Sequence, residues 1–163
     1  MKESYVIAGV IIGTIVLIGG GALFMSRTDP TSHIEQIAEA KAVVSSKTHS
    51  WGDIPIKGGD AEAEFTIANE GTSALKLFNV VTSCTCTTAQ IEADGRKSPK
   101  FDMHSKSSYV LEVPAGGEAK LKVVFDPAFH GPQGVGVMDR QVKMETNDAT
   151  RPDLMFVLDG TVI

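Results

Sequence analysis

The sequence predicts an all-β fold, an antiparallel β-sandwich preceded by a single N-terminal transmembrane helix, and three observations carry that expectation. Apolar and polar residues alternate with period two over segments such as Ala61–Asn69 and Ala119–Phe125. Gly- and Pro-containing turns separate such segments at roughly the eight- to twelve-residue spacing of a sandwich, with no helical pattern between them. Ahead of them, Ser4–Ser26 holds no charged side chain.

Val6–Met25 reads VIAGVIIGTIVLIGGGALFM, interrupted only by Thr14. As a helix rising about 1.5 Å per residue it spans about 30 Å, the thickness of a hydrocarbon core, and lipid forces its backbone to bond internally. A cleaved signal peptide is the alternative, but the run is longer than the usual apolar core of such peptides, no Ala-x-Ala site directly follows it, and no cysteine near Gly21 could take a lipid. The flanking charges weakly favour a cytoplasmic N-terminus, which puts the rest of the chain outside. Gly9 and Gly13 form one Gly-x-x-x-Gly pair that would let two such helices approach closely.

After an interfacial turn at Arg27–Pro30, Ser32 and Glu35 fit a capping box, and Ile34, Ile37, Ala38 and Ala42 make a thin apolar stripe. A short helix is therefore expected between membrane and domain. The expected organisation is residues 1–27 as anchor, 28–41 as short helical linker and 42–163 as the sandwich.

Within that domain Ala61, Ala63, Phe65 and Ile67 share one face of a strand, with Glu62, Glu64 and Thr66 on the other. Ala74 to Val81 forms a second strand whose broken alternation predicts a bulge or burial on both faces. A third runs through Cys86–Ile91. Phe101, Met103, Tyr109, Leu111 and Val113 suggest a hairpin around His104–Ser108. Ala119–Phe125 alternates again until Asp126–Pro127 ends it, because proline supplies no ladder donor. Val137–Thr146 and Leu154–Ile163 complete the set, with an eight-stranded barrel as the main alternative closure.

Composition excludes several function classes. The formal charge is -5, and leaving out Lys2, Glu3 and Arg27 gives residues 28–163 a count of 13 basic and 19 acidic side chains, net -6. Scattered lysines among acids form no footprint for a phosphate backbone, so nucleic acid is not an expected partner. No Gly-x-Ser-x-Gly elbow and no phosphate-binding glycine loop occurs, and a non-enzymatic protein is expected.

Several short motifs combine into a family pattern: WGDIPIKGG at Trp51–Gly59, then Phe65, Asn69, Gly71 and Leu75, SCTCT at Ser83–Thr87, VPAGG at Val113–Gly117, VVFDP ending at Pro127, METND at Met144–Asp148, and a closing DGTV. Over about Ala42–Val162 the chain resembles the bacterial domain of unknown function 1573 family (DUF1573). The resemblance implies a secreted or anchored immunoglobulin-like β-sandwich, related to the ASH and major sperm protein type. It supplies no catalytic residues to transfer. Two departures stand out: Thr85 occupies the position between the cysteines where the family usually has glycine, and an extra hairpin is expected from about Gly95 to Tyr109.

Cys84 and Cys86 are the only cysteines, too few and too close for a disulfide framework. In an extended strand both sulfurs would face one side with Cα atoms roughly 6.5 Å apart, so a disulfide needs local bending. Three readings stay open: inert cysteines, a local redox-active disulfide, or two thiolates of a Cu(I) site completed by His130, Met103 or Met144, with His104 and Met138 as further donors. Arg140 reads as a surface residue ion-paired with its neighbour Asp139, and Trp51 as an anchor at the core edge. The scaffold reading expects no cofactor. It expects a single-pass protein of the cytoplasmic membrane whose C-terminal domain, in the periplasm or outside the cell, contacts an envelope or surface protein or a second copy of itself.

Overall fold

The structure, a computed structural model, describes residues 34–163 and Thr14. The expected transmembrane anchor, Thr14 apart, therefore lies outside the described residues. Among the described residues no helix is long and apolar enough to cross a membrane.

Among the described residues ten strands form in chain order: β1 (Ala42–Val44), β2 (Thr48–Ile54), β3 (Ala61–Asn69), β4 (Leu75–Thr82), β5 (Thr87–Ala93), β6 (Arg96–Lys97), β7 (Leu111–Val113), β8 (Glu118–Phe125), β9 (Gly136–Thr146) and β10 (Asp153–Val162). They make two five-stranded sheets, β1-β3-β8-β5-β6 and β2-β10-β9-β4-β7. This is a two-layer sandwich and not a single closed barrel. Every strand pair is antiparallel except β2–β10, which runs parallel.

Alternation dictates which face each strand buries. In β3, Ala63, Phe65 and Ile67 are buried and Glu62 and Glu64 exposed; in β8, Ala119, Leu121, Val123 and Phe125 are buried and Lys120 and Lys122 exposed. The register sets Phe65 opposite Leu121 and Ile67 opposite Ala119, so both apolar rows enter one core. On the wet face Lys122 meets Glu62 at 2.8 Å and Lys120 meets Glu64 at 3.4 Å. Such exposed pairs add little stability, and each large buried side chain contributes about 1.5–3 kcal/mol. Phe65 of the first sheet and Phe156 of the second, ring centroids 4.8 Å apart, join the layers.

The bulge expected in the second strand is present: the β4–β9 register shifts between Phe78 and Val81, and Asn79 takes a left-handed φ of 50°. Two expectations are corrected. Residues 101–113 form no hairpin, because Phe101 bridges Ala89 in the first sheet while Leu111–Val113 pair with β4 in the second. The segment between them crosses from one layer to the other. Residues 34–41, the described part of the linker, hold no helix. Ile37 N–H instead donates to Asn147 O at 2.8 Å, its carbonyl accepts from Ala149 N–H at 3.2 Å, and it bridges Asp148. Pairing with a folded partner satisfies those backbone groups and packs Ile37 on the main core, which a two-turn exposed helix could not do.

The METND segment at the end of β9 ties three parts of the chain together. Asn147 accepts from Lys76 N–H at 2.7 Å and donates to Ala74 O at 3.1 Å. Asp148 accepts from Ala42 N–H at 2.9 Å and from both the N–H and the hydroxyl of Thr150 at 2.7 Å. At the β3–β4 turn, the buried Asn69 amide donates to Ser73, Val113 and Pro114 carbonyls. These two motifs of the family pattern are structural pins.

Candidate functional site

Chemistry-bearing side chains gather at the end of the sandwich where β5 and β9 begin and β8 and β10 finish. A second, smaller core lies there, formed by Ile54, Cys86, Phe125, Met138 and Val162, with Trp51, Ile56, Ala61 and Cys84 packed against it. Trp51 serves as the expected edge anchor: its ring stacks on Phe125 at 5.7 Å and its Nε1–H donates to Glu62 O at 2.9 Å.

Between β4 and β5 the chain turns sharply, with Thr87 N–H donating to Cys84 O at 3.1 Å. This bend brings the Cα atoms of Cys84 and Cys86 to 5.2 Å, and the two sulfurs are joined in a disulfide. The bend supplies the local geometry that an extended strand lacks. Thr85 holds the turn without a left-handed φ, since among the described residues only Asn79 and Asp94 combine a side chain with positive φ. The family's usual glycine is thus dispensable here.

The turn is tied down on all sides. The Thr82 hydroxyl bonds the carbonyls of Cys84 and Thr87, both at 2.9 Å. Ser83 N–H donates to Gln141 O and Gln141 N–H to the Ser83 hydroxyl, each at 2.9 Å, and Asp126 N–H donates to Cys86 O at 2.9 Å. These bonds knit the turn to β9 and to the end of β8.

Two nitrogen side chains flank the sulfurs. His130, exposed on the loop after β8, places Nε2 3.6 Å from Cys84 Sγ. Arg140 of β9 donates its Nε–H to Cys86 Sγ at 3.1 Å, and its guanidinium lies 5.4 Å above the Phe125 ring centroid. The expected ion pair with Asp139 is replaced by a bond to the Asp139 backbone carbonyl at 2.6 Å, because cation–π contact with Phe125 turns the side chain inward.

The Cys84, Cys86 and His130 donor atoms lie within 4.8 Å of one another. The remaining candidate donors divide. Met103 sits beside the turn, its sulfur accepting from the Thr85 hydroxyl at 3.4 Å. Met138 packs in the same small core as Cys86, whereas Met144 is fully buried in the larger core between the sheets. His104 is exposed in the crossing loop, where its backbone N–H donates to the Asp102 carboxylate at 2.8 Å. That bond, with the Ser105 hydroxyl, holds the Asp102 carboxyl below its ordinary range. With the sulfurs bonded to each other only His130 offers this cluster a free donor, so a Cu(I) site there requires prior reduction.

Comparison with known proteins bears on family and fold. Residues 42–100 match the family described as "Protein of unknown function (DUF1573)", the first half of the span over which the motifs suggested it. No curated protein matches the chain. A protein of unknown function from Porphyromonas gingivalis W83 superposes with a TM-score of 0.57 at 21% identity, over 77% of this chain and 49% of that one. The chain thus spans about half the length of that protein, and the likeness shows the shared sandwich fold. The ASH/PapD-like domain 7 of human CEP192 gives a TM-score of 0.48 at 17% identity, covering 85% of this chain and 96% of that domain.

Proposed function

We propose that this chain, whose residues 42–100 are a DUF1573 segment, is a non-enzymatic, membrane-anchored β-sandwich. It stands outside the cytoplasm, in the periplasm or at the cell surface, and binds an envelope or surface protein by adding that partner's strand to its own sheet. Residues 1–27 are the anchor and the segment after them the connection, shortened by the docking of Ile37 on the domain.

The observation that carries this reading is β2. Three of the four sheet edges are blunted, since β1, β6 and β7 are only two or three residues long. β2 is a seven-residue edge strand whose ladder partner is β10. Short edges resist pairing; a long one offers a row of backbone donors and acceptors to a partner strand. The uncharged run Ser4–Ser26, long enough for a bilayer, supports the anchor.

A photo-crosslinking amino acid at exposed Ser50 in β2, compared with one at exposed Lys122 in the middle of the first sheet, tests the edge directly. In intact cells producing the full chain, the expected result is one discrete adduct with an envelope protein or with a second copy at position 50 and none at 122. Equal adducts at both positions would remove the edge-pairing reading.

A further inference from the structure

We propose, independently of the β2 edge, that Cys84–Cys86 is a thiol–disulfide exchange site that takes a protein dithiol, with Cys84 the sulfur attacked and Cys86 the sulfur that leaves. The surroundings of the two sulfurs are unequal. Cys84 is half-buried at the surface of the turn, while Cys86 is 3% exposed within the small core. An incoming thiolate reaches Cys84.

The departing charge then falls on Cys86, whose Sγ already accepts Arg140 Nε–H at 3.1 Å. A cation held beside a leaving thiolate speeds its departure and favours the reduced pair, because the thiolate is the species it stabilises. Phe125 beneath the guanidinium keeps that cation in place. The turn's bonds from Thr82, Ser83 and Asp126 do not involve the sulfurs. The backbone therefore stays set when the disulfide opens, and the two sulfurs remain within reach for closure.

The rim of the site points to a thiol carried on a polypeptide. Met103 and Phe129 are 42% and 51% exposed. Met103 contacts Thr85 between the cysteines, and the Phe129 ring lies 5.1 Å from that of His130. Apolar side chains exposed beside a reactive bond suit the flanks of a bound chain more than a bare small thiol.

The partner's first thiolate forms a bond to Cys84 Sγ, the Cys84–Cys86 bond breaks, and its electron pair stays on Cys86. The partner's second thiolate attacks its own sulfur in the mixed disulfide and releases Cys84. Two electrons pass from the dithiol to the pair, the partner leaves as a disulfide, and the dithiol's protons go to the two cysteines or to solvent.

The test uses the full-length protein in detergent, oxidised, with two probes. Reduced thioredoxin lacking its resolving cysteine should form a mixed disulfide that peptide mass mapping places on Cys84. Reduction by intact thioredoxin should slow about tenfold in Arg140→Gln and stay near wild type in Arg140→Lys, since the leaving thiolate loses its cation only in the first. An adduct on Cys86, no adduct at all, or equal rates for the two Arg140 variants and wild type would overturn the proposal. The trapping experiment uses the unsubstituted chain, so it decides the matter even if an Arg140 variant fails to fold.

Discussion

Asp148→Ala is expected to lower the unfolding free energy by about 3 kcal/mol, since it strips the acceptor from two backbone donors and one hydroxyl, and an orphaned buried donor costs about 1–3 kcal/mol. Ala42 and Asp148 are both almost wholly inaccessible to water, so no solvent replaces the lost carboxylate at the Ala42 N–H. Thermal unfolding of the segment Ser32–Ile163, which forms one compact unit, should show a Tm lower by roughly 10 °C. The substitution also reports on pH. Burial alone would raise the Asp148 carboxyl, but the hydrogen bonds from the Thr150 hydroxyl, Ala42 N–H and Thr150 N–H outweigh it and hold the group below its ordinary range. A carboxyl that binds its proton less tightly when folded stabilises the fold fully above the unfolded value of about 3.9 and loses that contribution as pH falls through the folded value. Urea unfolding of the wild type should therefore weaken from about pH 4 downward, and Asp148→Asn should remove part of that slope.

Gly71→Ala is the second large effect, and its cause is backbone crowding. Residues 39–41 cross directly over the β3–β4 turn, where Glu39 O accepts from Thr72 and Ser73 N–H at 2.8 and 3.1 Å and Lys41 O accepts from Glu70 N–H at 2.9 Å. A Cβ on Gly71 would collide with Glu39 O and come within 2.7 Å of Lys41 N. Backbone atoms cannot rotate aside as a side chain does, so the crossing segment must lift and expose Ala40 and Ala42, both buried. The expected loss is about 2–3 kcal/mol, the upper part of the range for overpacked sites. Gly95→Ala provides the contrast: φ is +71° there but nothing lies within 4 Å of the added carbon. It should cost about 1 kcal/mol, the left-handed strain alone. Comparable losses for the two substitutions, read from urea midpoints, would show that crowding at Gly71 is relieved cheaply.

Strands whose one face is buried were legible because the apolar period announces the face directly: β3 and β8 run as Ala61–Asn69 and Glu118–Phe125. The bulge in β4 was legible too, through the break in its alternation. Which layer a strand joins was not, since both sheets bury the same kinds of side chain. Phe101 and Leu111 read as one hairpin for this reason and fall in different sheets. The capping box at Ser32 and Glu35 is a local signal overridden by a distant partner, as Ile37 pairs with Asn147 and Asp148.

At the site, the cysteine spacing announced a local relationship and His130 was among the candidate donors; the contact of Arg140 with Cys86 had no signal. It spans 54 positions and depends on the β4–β9 register, which the bulge between Phe78 and Val81 shifts by an amount the residue pattern does not count. Met144 and Met103 illustrate the same limit from the other side. Both were plausible soft donors, yet one lies in the large core and the other on the rim of the disulfide turn.

In the proposed arrangement the anchor holds the sandwich, its disulfide included, on the outer side of a membrane. A single reporter cysteine at Val137, 90% exposed near the start of β9, in the full chain with Cys84 and Cys86 both replaced by serine, tests this without depending on redox chemistry. In intact cells a membrane-impermeant maleimide should label Val137→Cys, and the labelled chain should sediment with membranes and be released by detergent. Labelling that occurs only after the cells are lysed, or a labelled chain that remains in the soluble fraction at its full mass, would contradict it.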